Sequence, residues 1–497
     1  MTSGRLAAVM LAVVGVAACG TGVAAAPGTP ASRPGPAGTA AVPSRSPGLP
    51  GPSDCTTGPA RRAWAMAVGP AGRVAWQVRL PTDPQQAGIG VQPLVVGGTA
   101  VFAEVNGVYA LRLSDGRQLW RKVFPQRGAL DPGYVYGLWQ WDGSVIVLVG
   151  QVSSVPRLMS LDAGTGAVRW TLPLSKQGVY GSQALTGDGG LALIQGNATL
   201  TVVDLATGRV RWSRAGVRAP APIVAGGVVV AAVQWTGASG GSVSGYDTRT
   251  GALLWTRRDM PQQPQLAVSA GRVLVYTAGQ NVYPRPVLWP VTALSAATGR
   301  TLWQAATAGP VAGLSAGPSG VAVTTVNPGR LELIDPVTGR VRWNIAAAAQ
   351  DSPPADTGTD LLYLGDAPGG RVGLVDLRAA DGSVRWVAQI PLSWSPGTAS
   401  PAPSAAVVPA AGAAVAAGPV LMFGADAVVA GSAMPSGSPG ALSAFRLSDG
   451  APAWTATVPT LVHVPPAVAG SDLLVQPTDP SYACAATGAV SAVGHAA

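Results

Sequence analysis

The chain has 497 residues, 47% of them apolar, with 66 Gly, 45 Pro and only 11% charged side chains, which excludes a fully disordered protein and a mostly helical one. The net charge of +9 comes from 32 basic against 23 acidic groups, and because only Lys122 and Lys176 are lysines, nearly all of it is arginine. A chain this long holds either more than one ordinary core or one large closed architecture.

In chain order, Arg5 precedes an uncharged apolar run over residues 6–18, which is too short to span a bilayer comfortably and has the size of a signal-peptide core. Val16-Ala17-Ala18-Cys19 resembles a bacterial lipobox, which implies a signal peptide over 1–18, cleavage before Cys19 and a lipid on its thiol. Residues 19–54 then form a Pro/Ala/Gly-rich segment, expected to stay extended as a tether between the anchor and a folded body over 55–497. A second uncharged tract, about residues 390–418, is interrupted by Pro, Ala and Gly and reads as an insertion rather than a membrane span.

The folded body is dominated by an internal repeat. Copies such as YALRLSDGRQLW, MSLDAGTGAVRW, TVVDLATGRVRW and ELIDPVTGRVRW end at Trp120, Trp170, Trp212 and Trp343. Others end at Trp255, Trp303, Trp386 and Trp454, and a worn copy, WAMAVGPAGRVAW, ends at Trp76. Each full copy has glycine four residues before its tryptophan: Gly116, Gly166, Gly208, Gly251, Gly299, Gly339, Gly382 and Gly450. These positions suit a tight turn that needs positive φ. Thr or Asp precedes each of these glycines, and Asp162, Asp204, Asp247 and Asp335, eight before their tryptophans, can brace the same turns. The residue nine before each tryptophan is always apolar, as a buried strand position requires, and each indole is a wedge that one repeat can bury against the next. Two further short strands fit between copies, so each repeat supplies four strands, the signature of a β-propeller blade. An open solenoid would need polar caps at both ends, and neither end carries one.

The pattern AxDxxTG-xxx-W resembles the tryptophan-docking motif of pyrroloquinoline-quinone-like (PQQ-like) β-propellers, and it recurs over nearly everything after residue 60. The resemblance implies an all-β propeller of four-stranded blades, of a kind found in quinoprotein dehydrogenases and in non-catalytic, BamB-like envelope lipoproteins. Eight blades, the habit of the family, is the expectation, with nine as the alternative. Counted literally, the strands before Trp76 and the strand-like pieces PPAVAG, DLLVQ and YACAATG after Trp454 make a ninth.

With Cys19 consumed by lipidation, Cys55 and Cys484 remain, and both belong to segments that meet where such a ring closes; a Cys55–Cys484 disulfide is expected, as export permits. Catalysis has little to stand on. No adjacent cysteine pair exists, Glu is limited to Glu104 and Glu332, and the only histidines are His463 and His495. No catalytic residue, metal or cofactor is therefore expected, PQQ included. Arg169, Arg211, Arg342 and Arg385 precede docking tryptophans one per blade, a strand-edge device rather than a nucleic-acid patch. The aromatic group Tyr134, Tyr136, Trp139 and Trp141 reads as inter-blade core before ligand platform. The resulting expectation is a monomeric, lipid-anchored propeller on the outer face of the cytoplasmic membrane. It would bind an envelope protein or cell-wall component through its loops; a ligand-binding sensor is the alternative, with a PQQ-dependent dehydrogenase behind it.

Overall fold

The computed structural model describes residues 63–477 apart from 81–90, 125–133, 151–155, 175–184, 196–198, 218–220, 234–240, 278–289, 350–353, 391–415, 433–439, 460–465 and isolated positions. Among the described residues the fold is all β but for one 3-10 turn, Pro70–Gly72. The strands form nine antiparallel sheets arranged as the blades of a propeller. Blades 1 to 8 cover residues 94–123, 134–173, 185–215, 223–260, 265–305, 311–346, 348–388 and 416–458. Blade 9 joins Ala467–Ala469 and Asp472–Val475 to Ala63–Val68 and Val74–Leu80.

Within a blade the strands succeed one another outward. The second strands carry runs such as SVIVLVG (Ser144–Gly150), buried at every position because both faces meet a neighbouring blade. The fourth strands are exposed edges: Val168–Pro173 and Val341–Ala346 alternate between exposed and half-buried positions. Nine apolar clusters fill the nine joints, one between each pair of neighbours. The cluster of Met66, Val68, Val428, Leu442, Leu473 and Val475 seals blade 8 to blade 9, so the ring closes.

Closure is made by pairing the two ends of the described chain. Met66, Ala67 and Val68 pair antiparallel with Val475, Leu474 and Leu473, and the Trp64 amide donates to the Pro477 carbonyl at 3.1 Å. The blade number is therefore nine, the literal repeat count rather than the family habit of eight. Two of the three pieces after Trp454 are the inner strands of blade 9, and the third, with Cys484, lies outside the described residues.

Residues 391–415 of the uncharged tract lie outside the described residues. Ala416–Ala417 and Val420–Phe423 are the innermost strands of blade 8, a five-stranded sheet. Blade 7 has a divided inner strand: Ala348–Ala349 and Ala355–Asp356 both pair with Asp360–Asp366.

Candidate functional site

The repeat motif assembles a docking joint, and its geometry follows from the turn. In the copy around Asp204, the aspartate Oδ1 accepts from the Thr207 amide at 3.1 Å and from its hydroxyl at 3.1 Å, while the Gly208 amide donates to the Asp204 carbonyl at 2.8 Å. The glycine closes this turn at φ between +68° and +73° in all eight full copies. The indole of the preceding blade then lies on it. A Cβ at Gly251 would stand 2.6 Å from Trp212 Cδ2, so glycine is needed both for its backbone angle and for the approach of the ring.

Each indole also donates across the joint to the carbonyl three residues before the docking glycine. Trp76 reaches Leu113 at 2.7 Å, Trp120 reaches Ala163 at 2.8 Å and Trp212 reaches Thr248 at 3.0 Å. Trp170, Trp255, Trp303, Trp343 and Trp386 bond Leu205, Ala296, Pro336, Ala379 and Leu447 in the same way. The seam departs from the rule. Trp454 lies on Gly72 of blade 9, in the worn repeat, and its Nε1 donates to Asp426 Oδ2 at 3.1 Å. The residue nine before each docking tryptophan of blades 1 to 8 is buried in every case, from Leu111 to Phe445.

The arginines before the docking tryptophans are tied to the same turns. Arg169, Arg211 and Arg342 pair with Asp162, Asp204 and Asp335 at 2.7, 2.7 and 2.6 Å. Arg169 together with Thr165 pulls Asp162 down to about 2, and Arg342 holds Asp335 well below the usual carboxylate range. Of the aromatic group, Trp139 and Trp141 stand half-buried in the joint between blades 2 and 3, with Tyr136 beside them. The ring of Trp141 lies over Gly190 of blade 3, where a Cβ would come within 2.8 Å of it.

Blade 7 has arginine eight before its tryptophan, Arg378, as blades 1 and 8 have Arg112 and Arg446, and it carries a further aspartate two residues earlier, Asp376. That position faces Trp386 directly in the strand register, where the other blades place Ala110, Ser160, Val202, Gly245, Ala293, Leu333 or Ala444. Arg385 consequently turns to Asp360, at 2.9 Å, and stands 3.5 Å from Asp376. Asp376 is 1% exposed and neither of its carboxylate oxygens has a hydrogen-bond partner. Burial, aided by the Asp360 charge and opposed by Arg385, pushes Asp376 up to about 7. A second buried carboxylate, Glu332, accepts from the Ala308 amide at 2.8 Å and from Asn344 Nδ2 at 2.7 Å, while burial raises its pKa. The extra aspartate of blade 7 is legible when the repeats are aligned; its burial without a hydrogen bond is not.

The two carboxylates are buried in different blades, Glu332 held by two hydrogen bonds and Asp376 by none. Among the described residues no three His, Cys, Asp or Glu side chains converge as metal ligands would, and no helix is long and apolar enough to cross a membrane. Cys19, Cys55, Cys484, His463 and His495, the signal segment and the tether lie outside the described residues.

A family model described as outer membrane protein assembly factor BamB matches residues 154–285 and 290–460. The chain is 26% identical over 255 residues to outer membrane protein assembly factor BamB of Yersinia pestis, an alignment over 47% of this chain and 58% of that protein. It thus spans somewhat more than half the length of that curated relative. The crystal structure of BamB from Moraxella catarrhalis is similar at 16% identity and a TM-score of 0.41, over 78% of this chain and 94% of that one. A crystal structure of a eukaryotic initiation factor aligns with a TM-score of 0.50 at 12% identity, over 80% of this chain and 96% of that one, a likeness of fold alone.

Proposed function

The chain belongs to the family of the outer membrane protein assembly factor BamB, and from that premise we propose that it is a non-catalytic, membrane-anchored propeller that holds other proteins in the cell envelope. The observation that carries the reading is the match of the family model across blades 3 to 8, together with a ring whose turn carboxylates and arginines are engaged with one another. Such a ring is a rigid frame for the connections between strands, and binding through loops on a rigid frame needs no reactive side chain. The curated relative is named for outer-membrane protein assembly; what carries over to this chain is the holding of envelope proteins, with the partner differing by organism.

The anchor is Cys19, lipidated after cleavage of the leader, which places the ring on the outer face of a membrane. Fractionating cells that express the wild-type chain or Cys19→Ser tests it: the wild type is expected with the membranes and the variant free of them. Unchanged partitioning would remove the anchor. Crosslinking on intact cells, followed by identification of the captured proteins, tests the scaffold; titration of the purified chain with PQQ and Ca²⁺ is its counterpart. Micromolar binding of the quinone would replace the scaffold reading with an enzyme.

We also propose that Cys55 and Cys484 form a disulfide at the seam. The described flanks support it, since Ala63–Val68 and Asp472–Val475 are paired antiparallel and their outer ends leave the ring together. Mass mapping without reduction is expected to find the two cysteine peptides linked, and free thiols at both positions would rule the bridge out. The crosslink would stabilise by about 4–6 kcal/mol as an upper figure in the chain-entropy model.

A further inference from the structure

Among the described strands, blade 9 is the one sheet whose second and third strands are not consecutive in the chain, since Asp472–Val475 there meets Ala63–Val68. The ladder between them has three residue pairs, against four in blade 5 and six in blade 1. The joint to blade 8 is also built differently. Every other docking indole donates across its joint to a backbone carbonyl. Trp454 donates instead to Asp426 of its own blade, and the carbonyl three before its docking glycine, that of Gly69, accepts from the Gly72 amide at 3.2 Å. Where each full copy places Thr or Asp before the glycine, this turn has Ala71, which cannot brace it. Ala71 is also held at a φ of +60°, a left-handed backbone that a residue with a Cβ adopts at a cost.

The hairpin Ala63–Leu80 is meanwhile complete in itself. Its two strands pair over six positions, and the chain runs from it into the rest of the ring only through Leu80. Parting it from Asp472–Val475 breaks three residue pairs and strains no connection, whereas in every other blade the chain itself holds the second and third strands together. We propose that this hairpin leaves the closed ring as a unit and returns while blades 1 to 8 stay folded, so that the seam is the device by which the ring opens. The open form presents Asp472–Val475, whose Leu473, Leu474 and Val475 are buried in the closed ring, as an unpaired strand edge. A scaffold gains from this an edge that the closed ring conceals. The opening depends on neither the lipid anchor nor the Cys55–Cys484 bridge.

The test uses the full chain with Cys19, Cys55 and Cys484 changed to serine and one new thiol introduced by Ala67→Cys, Ala110→Cys or Ala293→Cys. Each of these alanines faces the docking tryptophan of its own blade in the strand register and is 0% exposed, and of the three only Ala67 lies in the hairpin. Each labelling rate without denaturant is divided by the rate of the same chain unfolded in urea. Labelling at position 67 is then expected to be at least roughly ten-fold faster than at 110 or 293. Opening of the hairpin alone uncovers little surface, so urea should raise the rate at 67 shallowly and the other two steeply. Equal rates at the three positions, or equal urea slopes, would overturn the proposal. Should Ala67→Cys fail to fold, hydrogen exchange of the unsubstituted chain under a reductant decides. Faster exchange in Ala63–Val68 than in Arg157–Asp162, the third strand of blade 2, supports the opening, and exchange that is equally slow in both removes it.

Discussion

Trp212→Ala is expected to lower the free energy of unfolding by about 3–5 kcal/mol, the range for truncating a large buried aromatic side chain. The indole is 8% exposed, packs 6.1 Å from the ring of Tyr246 and donates to the Thr248 carbonyl, so the truncation opens a cavity in a joint and orphans an acceptor. Trp212→Phe keeps most of the packing and loses the hydrogen bond, for about 1 kcal/mol. The docking glycine gives the sharper test. Gly251→Ala places a methyl group 2.6 Å from the indole and leaves alanine at a φ of +68°, two penalties with separate origins. In the double variant the steric penalty vanishes with the ring while the backbone penalty stays, so its loss should be smaller than the sum of the two single losses. Urea denaturation of the four chains measures this. Strict additivity would mean that the tryptophan and the glycine are not one joint.

The second large effect is a pH dependence with an unusual sign. Asp376 titrates near 7 in the folded protein, above its ordinary value of 3.8, so its protonated form is the one the fold favours. Its contribution to stability is fully present below the unfolded pKa and is lost as pH rises through 7. Between pH 5.5 and pH 8 the loss amounts to about 2 kcal/mol, and Asp376→Asn, which cannot ionise, should remove it. The variant is therefore expected to be more stable than the wild type at pH 8 and nearer to it at pH 5.5, when melting is followed at both values. Most other resolved aspartate shifts, Asp162 and Asp335 among them, are downward and act below pH 4, outside that window. A variant that is less stable at pH 8 would mean that Arg385 offsets the buried charge.

Much of the architecture was legible because a propeller is a repeat whose energetics are local. Glycine four residues before tryptophan, an apolar residue nine before it and the bracing aspartates each report a contact within one blade or with the next. Reading nine copies amounted to reading nine joints. The blade number needed only trust in that count, since the worn copy ending at Trp76 and the pieces after Trp454 are the two halves of one sheet. What the pattern obscured were positions whose residues carry no strong signal of their own. The inner strands of blade 8 are an Ala pair and a four-residue apolar run following a tract of Ala, Gly and Pro, which without their neighbours resembles a linker.

The sequence by itself determined the repeat, the docking pairs and the closed all-β ring, because each depends on backbone angles and burial that a residue type declares wherever it stands. Only the tertiary structure decided which charges are satisfied. Moving an aspartate two positions along a strand keeps it on the same face, yet carries it from a solvated turn to the middle of a joint; Asp162 and Asp376 differ in sequence by that step and in environment almost completely. Electrostatic environment is fixed by neighbours in space rather than in sequence.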